Sequence, residues 1–229
     1  MLKGYGTTIF DGTWLTLQLA LSSMALAVAL GLIGVTLRLS PIRWLAWLSD
    51  VYSTVLRGIL DLVLILLIFY GGQNILNKVS PLLGYDEYMD LNPLAAGIGT
   101  LGVIFGAYLS ETFRGAFMAI PKGQGEAGIS YGMSKLKVFF RILLPQMIRL
   151  AIPGLTNNWL VLLKATALIS VVGLQDMMFK AKQAADATRE PFTFFLAVAA
   201  MYLIITSISL IILRRVEKRY SIGTRAAEL

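Results

Sequence analysis

Four charged side chains, Arg57, Asp61, Glu111 and Lys164, fall inside stretches apolar enough to cross a membrane. A charge at that depth either is neutralised or performs a function. Counted from Leu48, Asp61 lies about 20 Å along its segment, and counted from Ile152, Lys164 lies about 18 Å along. Both depths are near mid-bilayer, where a charge costs on the order of 2.5–3.5 kcal/mol on insertion scales. Two readings compete. Arg57 and Asp61 are spaced i, i+4, and Glu111 and Arg114 i, i+3, so each pair can close on one helix face. Alternatively, the carboxylates line a cavity and receive a cation, and their geometry suits a guanidinium. Lys164, Asn157 and Asn158 can meet a carboxylate or join helices by hydrogen bonds. Thr166 and Ser170 read as packing residues.

The elements that must position these side chains are membrane helices. Of the 229 residues, 57% are hydrophobic and 14% are charged. That charged share is well below the roughly 25% of average globular chains, and a bilayer is the natural solvent for such a sequence. Five helices are expected, at Thr13–Leu37, Leu48–Leu76, Pro93–Ala119, Ile152–Met178 and Phe192–Leu213. Asn92-Pro93 suits a helix start. Gly31, Gly34, Gly97, Gly99 and Gly102 are expected to let helices approach closely. The chain reads as one domain, 1–229, without repeats. The opening MLKGYGTTIFDGTW lacks the apolar core and cleavage site of a signal peptide.

Charge sets the expected orientation. Arg38 and Arg43 follow the first helix. Lys122, Lys135, Lys137, Arg141 and Arg149 lie between the third and fourth. Arg214, Arg215, Lys218, Arg219 and Arg225 follow the fifth. These fall on one side of a five-helix topology, while Asp86, Glu87, Asp90, Asp186 and Glu190 fall on the other. The positive-inside bias therefore predicts an outside N-terminus, a cytoplasmic C-terminus and a cytoplasmic loop at 120–150. It also accounts for the net charge of +7 without nucleic acid. With no cysteine and no histidine, the chain has no thiol, disulfide or imidazole chemistry and no ordinary zinc site.

The 120–150 loop has its own pattern: Glu126, Ala127 and Gly128, then Gly132, then Ile142, Leu144 and Pro145. Pro121-Lys122-Gly123-Gln124-Gly125 breaks the preceding helix. A short helix is expected over Glu126–Met133, with Gly128 and Gly132 on one face open to a partner. Ser134 can cap a second short helix over Lys135–Leu144, which Pro145 would disrupt. An amphipathic loop lying on anionic lipid is the plainer alternative.

This spacing resembles the EAA loop of permease subunits in ATP-binding-cassette importers, with glycine at 128 in place of the second alanine. The resemblance covers essentially the whole chain. Arg57-Gly58, Ala107-Tyr108, Pro121-Lys122-Gly123-Gln124 and Leu163-Lys164-Ala165-Thr166-Ala167-Leu168 look like the polar amino-acid branch. Asp61, Glu111-Thr112-Phe113-Arg114-Gly115-Ala116-Phe117 and Glu217-Lys218-Arg219-Tyr220-Ser221 look like the systems for histidine or for lysine, arginine and ornithine. The resemblance implies the all-α, type I importer permease fold in the bacterial inner membrane. It implies basic amino-acid uptake, with Asp61, Glu111, Lys164, Arg57 and Asn158 as substrate-site candidates. Glu126, Ala127, Gly128, Gly132, Ile142, Leu144 and Pro145 become ATPase-coupling candidates. The implied partners are a second homologous permease, two copies of an ATPase and a periplasmic substrate-binding protein. ATP and Mg would be bound by the ATPase, since this chain has no G-x-x-x-x-G-K-[ST] phosphate cradle and no metal or cofactor site of its own. One departure is Leu60, where the family has proline; leucine restores a backbone donor and is expected to straighten the second helix. The competing classes are a permease for other polar amino acids, an intramembrane enzyme or scaffold using Asp61 and Glu111, and an ion-driven transporter.

Overall fold

The computed structural model describes residues 4–40, 42–83 and 90–220, and Asp86, Glu87, Ser221 and Arg225 lie outside them. The described residues form helices and no strand. They are α1 (Gly6–Arg38), α2 (Arg43–Gly58), α3 (Asp61–Val79), α4 (Pro93–Met118), α5 (Lys122–Ser130), α6 (Lys135–Val138), α7 (Leu144–Ala165), α8 (Met177–Thr188) and α9 (Pro191–Tyr220). Five stretches are long and apolar enough to span a bilayer: α1, α3, α4, the run 135–172 containing α6 and α7, and α9.

The centre of the bundle is α1 against α4. Their contacts advance together along both helices: Gly97 meets Leu19, Gly102 meets Leu26, Gly106 meets Leu30 and Gly31 meets Leu109. The two helices therefore run parallel, as two spans must when one return span lies between them. A Cβ on Gly31 would come within 2.7 Å of Leu109 Cβ, and one on Gly102 within 2.5 Å of Leu26 Cδ2. Neither helix can carry a side chain there without separating, which is the membrane use of small residues. Gly34 and Gly97 behave alike, whereas Gly99 faces open space. Phe105, Ile104, Leu109, Leu162, Leu163 and Ile169 fill the core around this seam. Outward, α9 exposes Leu203, Ile204, Ile208, Ile211 and Ile212 along its length. In water such a surface would be an aggregation site; in lipid it is solvated.

The expected second helix, Leu48–Leu76, is two helices. After Gly58 the backbone is extended at Ile59 (φ −104°, ψ 146°) and Leu60 (φ −62°, ψ 130°), and α3 restarts at Asp61. Leu60 therefore does not straighten the segment. Glycine at the end of α2 weakens continuation, and α2 is held sideways by its hydroxyls. Ser49 Oγ donates to Gly34 O at 2.9 Å and Tyr52 OH to Val103 O at 2.6 Å. Those bonds fix the direction of α2, and α3 takes another.

The other boundaries shift for readable reasons. The first helix begins at Gly6, seven residues early, because exposed Asp11 does not interrupt it. Asn92 caps α4 as expected, its side chain accepting from the N–H groups of Leu94 and Ala95. The fourth helix does not begin at Ile152. The chain is helical from Lys135 through a π-helical turn at Phe139–Leu143 into α7. Pro145 does not disrupt it: the Leu144 N–H bonds Phe139 O one residue further back than in an α-helix, so the proline sits in a first turn where no N–H is required. At the other end, α7 tightens to a 3₁₀ turn and stops at Gly173 (φ 92°), short of Met178. The fifth helix extends to Tyr220. Between them lies α8, which hydropathy alone misses because Lys180, Lys182, Gln183 and Asp186 dilute it. Its buried Met177, Ala181, Ala184 and Ala185 keep helical spacing.

Candidate functional site

Glu111 on α4 is the hub of an ion-pair cluster that ties three helices. Arg38, the last residue of α1, pairs with Oε1 of Glu111 and with Asp50 of α2. The Nε of Arg114 donates to Oε2 of Glu111 at 3.2 Å, as the i, i+3 spacing predicts. Arg57 arrives from the end of α2, with Nη1 3.9 Å from the same Oε2. Its guanidinium also lies over the Tyr108 ring, 5.7 Å from the centroid, within cation–π range.

Arg57 does not pair with Asp61. The break at Ile59–Leu60 puts them on different helices, so the i, i+4 geometry does not exist. Asp61 instead occupies the first turn of α3, where unpaired N–H groups and the helix dipole favour a negative charge. It is half-buried, at the start of a helix that packs against α4. It has neither a hydrogen bond nor an ion pair among the described residues.

The remaining candidates lie apart from this cluster. Asn158 is buried, and its Nδ2 donates to Thr112 Oγ1 at 3.0 Å and to Gly154 O at 2.8 Å. Thr112 in turn donates to Tyr108 O, and a Cβ on Gly154 would strike Thr112 at 2.4 Å. The amide thus clamps α7 to α4. Lys164 is exposed beside a cleft shared with Phe195, Val198, Tyr202 and Met178, and touches none of the cluster. Sequence reasoning missed Arg38 as a partner of Glu111, Asp50 as the second partner of Arg38 and Tyr108 as the ring beneath Arg57. Only Arg38 had a signal, as the last charge of its helix.

The loop between α4 and α7 forms a second site. Helix α5 begins at Lys122, four residues before the expected Glu126, because Pro121 is extended and sits just before the first turn. It ends before Met133, at Ser130. Gly132 (φ 77°) takes the left-handed conformation just past the end. The Met133 N–H bonds Gly128 O at 3.1 Å and the Gly132 N–H bonds Ile129 O at 2.9 Å. This pair of bonds is a Schellman motif, and the glycine six residues after Glu126 is its left-handed residue. Gly128 does not share an open face with Gly132. It is buried, and a Cβ there would meet Val138 and Ile142 side chains at 2.9 Å. The small residue therefore seats α5 against α6 and the π turn. Glu126 and Ala127 are exposed, Ile142 and Leu144 are half-buried, and Pro145 is exposed. A groove beside α5 is lined by Leu39, Phe117, Pro121, Glu126 and Leu143, so the end of α1 reaches the loop.

One buried carboxylate was not anticipated. Asp176 caps α8, its Oδ1 accepting from Phe179 N at 2.9 Å, while Oδ2 has no partner. It packs against α1, where Gly12 comes so close that a Cβ would meet Met177 Cα at 2.8 Å. Burial pushes the carboxyl up to about 6, against the pull of the N–H groups of Phe179, Met178 and Asp176 itself.

A helical bundle that crosses the membrane, holds charge within it and presents a short capped helix between two spans is the architecture of a transport permease subunit. The chain belongs to the family of binding-protein-dependent transport system inner membrane components, whose family model matches residues 12–222. It is 48% identical, over all of both chains, to the histidine/lysine/arginine/ornithine transport system permease protein HisQ of Salmonella typhimurium. It is 37% identical to the arginine ABC transporter permease protein ArtQ of Escherichia coli, over 90% of this chain and 91% of that one. A crystal structure of an amino acid ABC transporter with histidines superposes with TM-score 0.81 at 28% identity, over 94% of this chain and 95% of that one. The MetNI methionine transporter, at 18% identity and TM-score 0.74 over 95% and 96%, shares the fold. The chain is thus a multi-pass inner-membrane permease with the type I importer fold.

Proposed function

We propose that this subunit carries basic amino acids (histidine, lysine, arginine and ornithine) inward as part of an ATP-driven importer. The observation that carries the reading is the 48% identity, without gaps in coverage, to a permease named for those four substrates. The site chemistry supports it. Asp61 is a carboxylate with no cation paired to it among the described residues, and a dehydrating ammonium or guanidinium needs a carboxylate. Tyr108, on the helix against which α3 packs, supplies a ring face that already receives one guanidinium, that of Arg57.

ATP hydrolysis belongs to a separate ATPase, present in two copies and holding ATP and Mg. The second permease of the pore is a homologous subunit, and a periplasmic binding protein delivers substrate from the side opposite the 120–150 loop. Helix α5 is the contact that the ATPase moves, with Glu126 and Ala127 on its exposed surface. Because Gly128 fastens α5 to the base of α7, a push on α5 is delivered to α7, and through the Asn158–Thr112 clamp to α4. The test is purification from native membrane with identification of the co-purifying chains. The complex is then reconstituted with its binding protein. Vesicles should accumulate labelled arginine only with ATP, and neutral amino acids poorly; arginine uptake independent of ATP would end the importer reading.

A further inference from the structure

The Glu111 cluster contains one cation more than its carboxylates require. Arg38 and Arg114 already hold the two oxygens of Glu111, at closer range than Arg57. Arg57 has the longest of these contacts, 3.9 Å, and its side chain is 43% exposed. It is the penultimate residue of α2. Behind it come Gly58, with nothing within 4 Å of a Cβ, and the extended, exposed Ile59 and Leu60. The Arg57 side chain can therefore swing about its own bonds while Ser49 and Tyr52 hold α2 in place. A few residues away, Asp61 has the opposite condition, a charge with no cation paired to it among the described residues. Tyr108, over whose ring Arg57 lies, is on α4, against which both α2 and α3 pack.

We propose that Arg57 is a tethered guanidinium that covers the Tyr108 face until the transported cation displaces it. This rests on the basic amino-acid reading above. A guanidinium or ammonium drawn to Asp61 needs the same aromatic face and approaches Arg57 with like charge. Substrate therefore binds only to the fraction of subunits in which Arg57 has moved off, and its apparent affinity is lowered by that fraction. Arg57 is thus a positioning residue that acts through Tyr108: it keeps the empty site closed to small cations and makes its own departure report that a substrate has arrived.

The test is equilibrium binding of radiolabelled L-arginine to the intact purified complex in nanodiscs without ATP, with citrulline, which lacks the charge, as control. Arg57→Ala should tighten arginine binding about three- to tenfold, the range expected for removing one exposed cation–π contact and one long ion pair. Citrulline binding should not move, and Arg57→Lys should bind like wild type. Arg57→Met repeats the test with the side-chain bulk kept. Assembled Ala and Met variants that bind arginine no tighter than wild type would overturn the proposal, as would failure of both to assemble, which would make Arg57 a structural member of the cluster. Wild-type complex that neither binds nor transports any cationic amino acid would instead remove the substrate reading on which the proposal rests.

Discussion

Arg57 and Asp61 are four residues apart in the chain and belong to different helices, one closing α2 and the other opening α3. Each sits where a helix end favours its sign of charge. Neither needs the other for neutralisation. This separates a substrate role for Asp61 from a structural one. Asp61→Asn should leave assembly intact and lower arginine or lysine uptake. A charge-assisted hydrogen bond contributes roughly 1.5–3 kcal/mol, so the loss should be about ten- to a hundredfold. Adding Arg57→Gln should not restore uptake. Restored uptake in the double variant, measured with assembly in the same vesicles, would show that the two side chains depend on each other after all.

The loop makes a prediction about conformation. Gly132 has open space around it and φ of 77°, so its role is the left-handed turn. Replacement by Asn, which tolerates that region, should nearly preserve coupling of ATP hydrolysis to uptake. Ala should be worse by about 1 kcal/mol of loop stability, and Val worse still. If a partner pressed on Gly132 instead, tolerance would follow size, with Ala better than Asn. The ratio of ATP hydrolysed to arginine transported across the three variants decides the order.

Gly128 makes a different prediction. A Cβ there meets Val138 and Ile142, both in the segment that leads into α7. Gly128→Leu should lift α5 from its seat. ATP hydrolysis should persist while uptake falls at least tenfold, since overpacking costs typically 1–3 kcal/mol. Tight coupling in this variant, by the same ratio, would mean that α5 transmits its motion without resting on α6.

Much of this architecture was legible because lipid forces helices and leaves long apolar runs. Pro93–Ala119 was nearly exact, with Asn92 as its cap. The Glu126–Gly132 spacing marked the loop that holds α5 and its left-handed glycine. What was hidden lay in tertiary geometry. Nothing in Ile59-Leu60 announces a break; it follows from α2 being hydrogen-bonded across α1 and α4. The partners of Glu111 come from three helices, and periodicity along one helix shows only Arg114. Helix α8 is short and polar enough to pass for a loop, and its signal was the period of Met177, Ala181, Ala184 and Ala185.

Orientation is testable because the chain has no cysteine. The charge distribution predicts that a cysteine at Asp90 reacts with an impermeant thiol reagent in intact cells and that one at Ser134 does not. Both positions are exposed. The reverse labelling pattern would place the α5 loop outside and remove its access to an ATPase.

Asp176 gives the fold a pH dependence of known sign. Its carboxyl is raised from the ordinary 3.8 to about 6, so the folded state disfavours the charged form. The stability it allows is fully present below the unfolded value and is lost as pH rises through about 6. Two units correspond to about 2–3 kcal/mol of linkage. The permease should therefore melt at a higher temperature at pH 5 than at pH 7.5, with the loss running between about 4 and 6 and levelling off above about 6. Asp176→Asn keeps an oxygen for the Phe179 N–H, removes the charge and gives the buried position of Oδ2 an amide. The variant should be more stable than wild type at pH 7.5 by about 1–2 kcal/mol, part of that linkage being offset by unsatisfied amide protons. Its melting temperature should also be flatter between pH 5 and 7.5. A variant that keeps the wild-type slope would assign the dependence to other groups, and a wild-type melting temperature that does not change over this range would leave Asp176 as a plain helix cap.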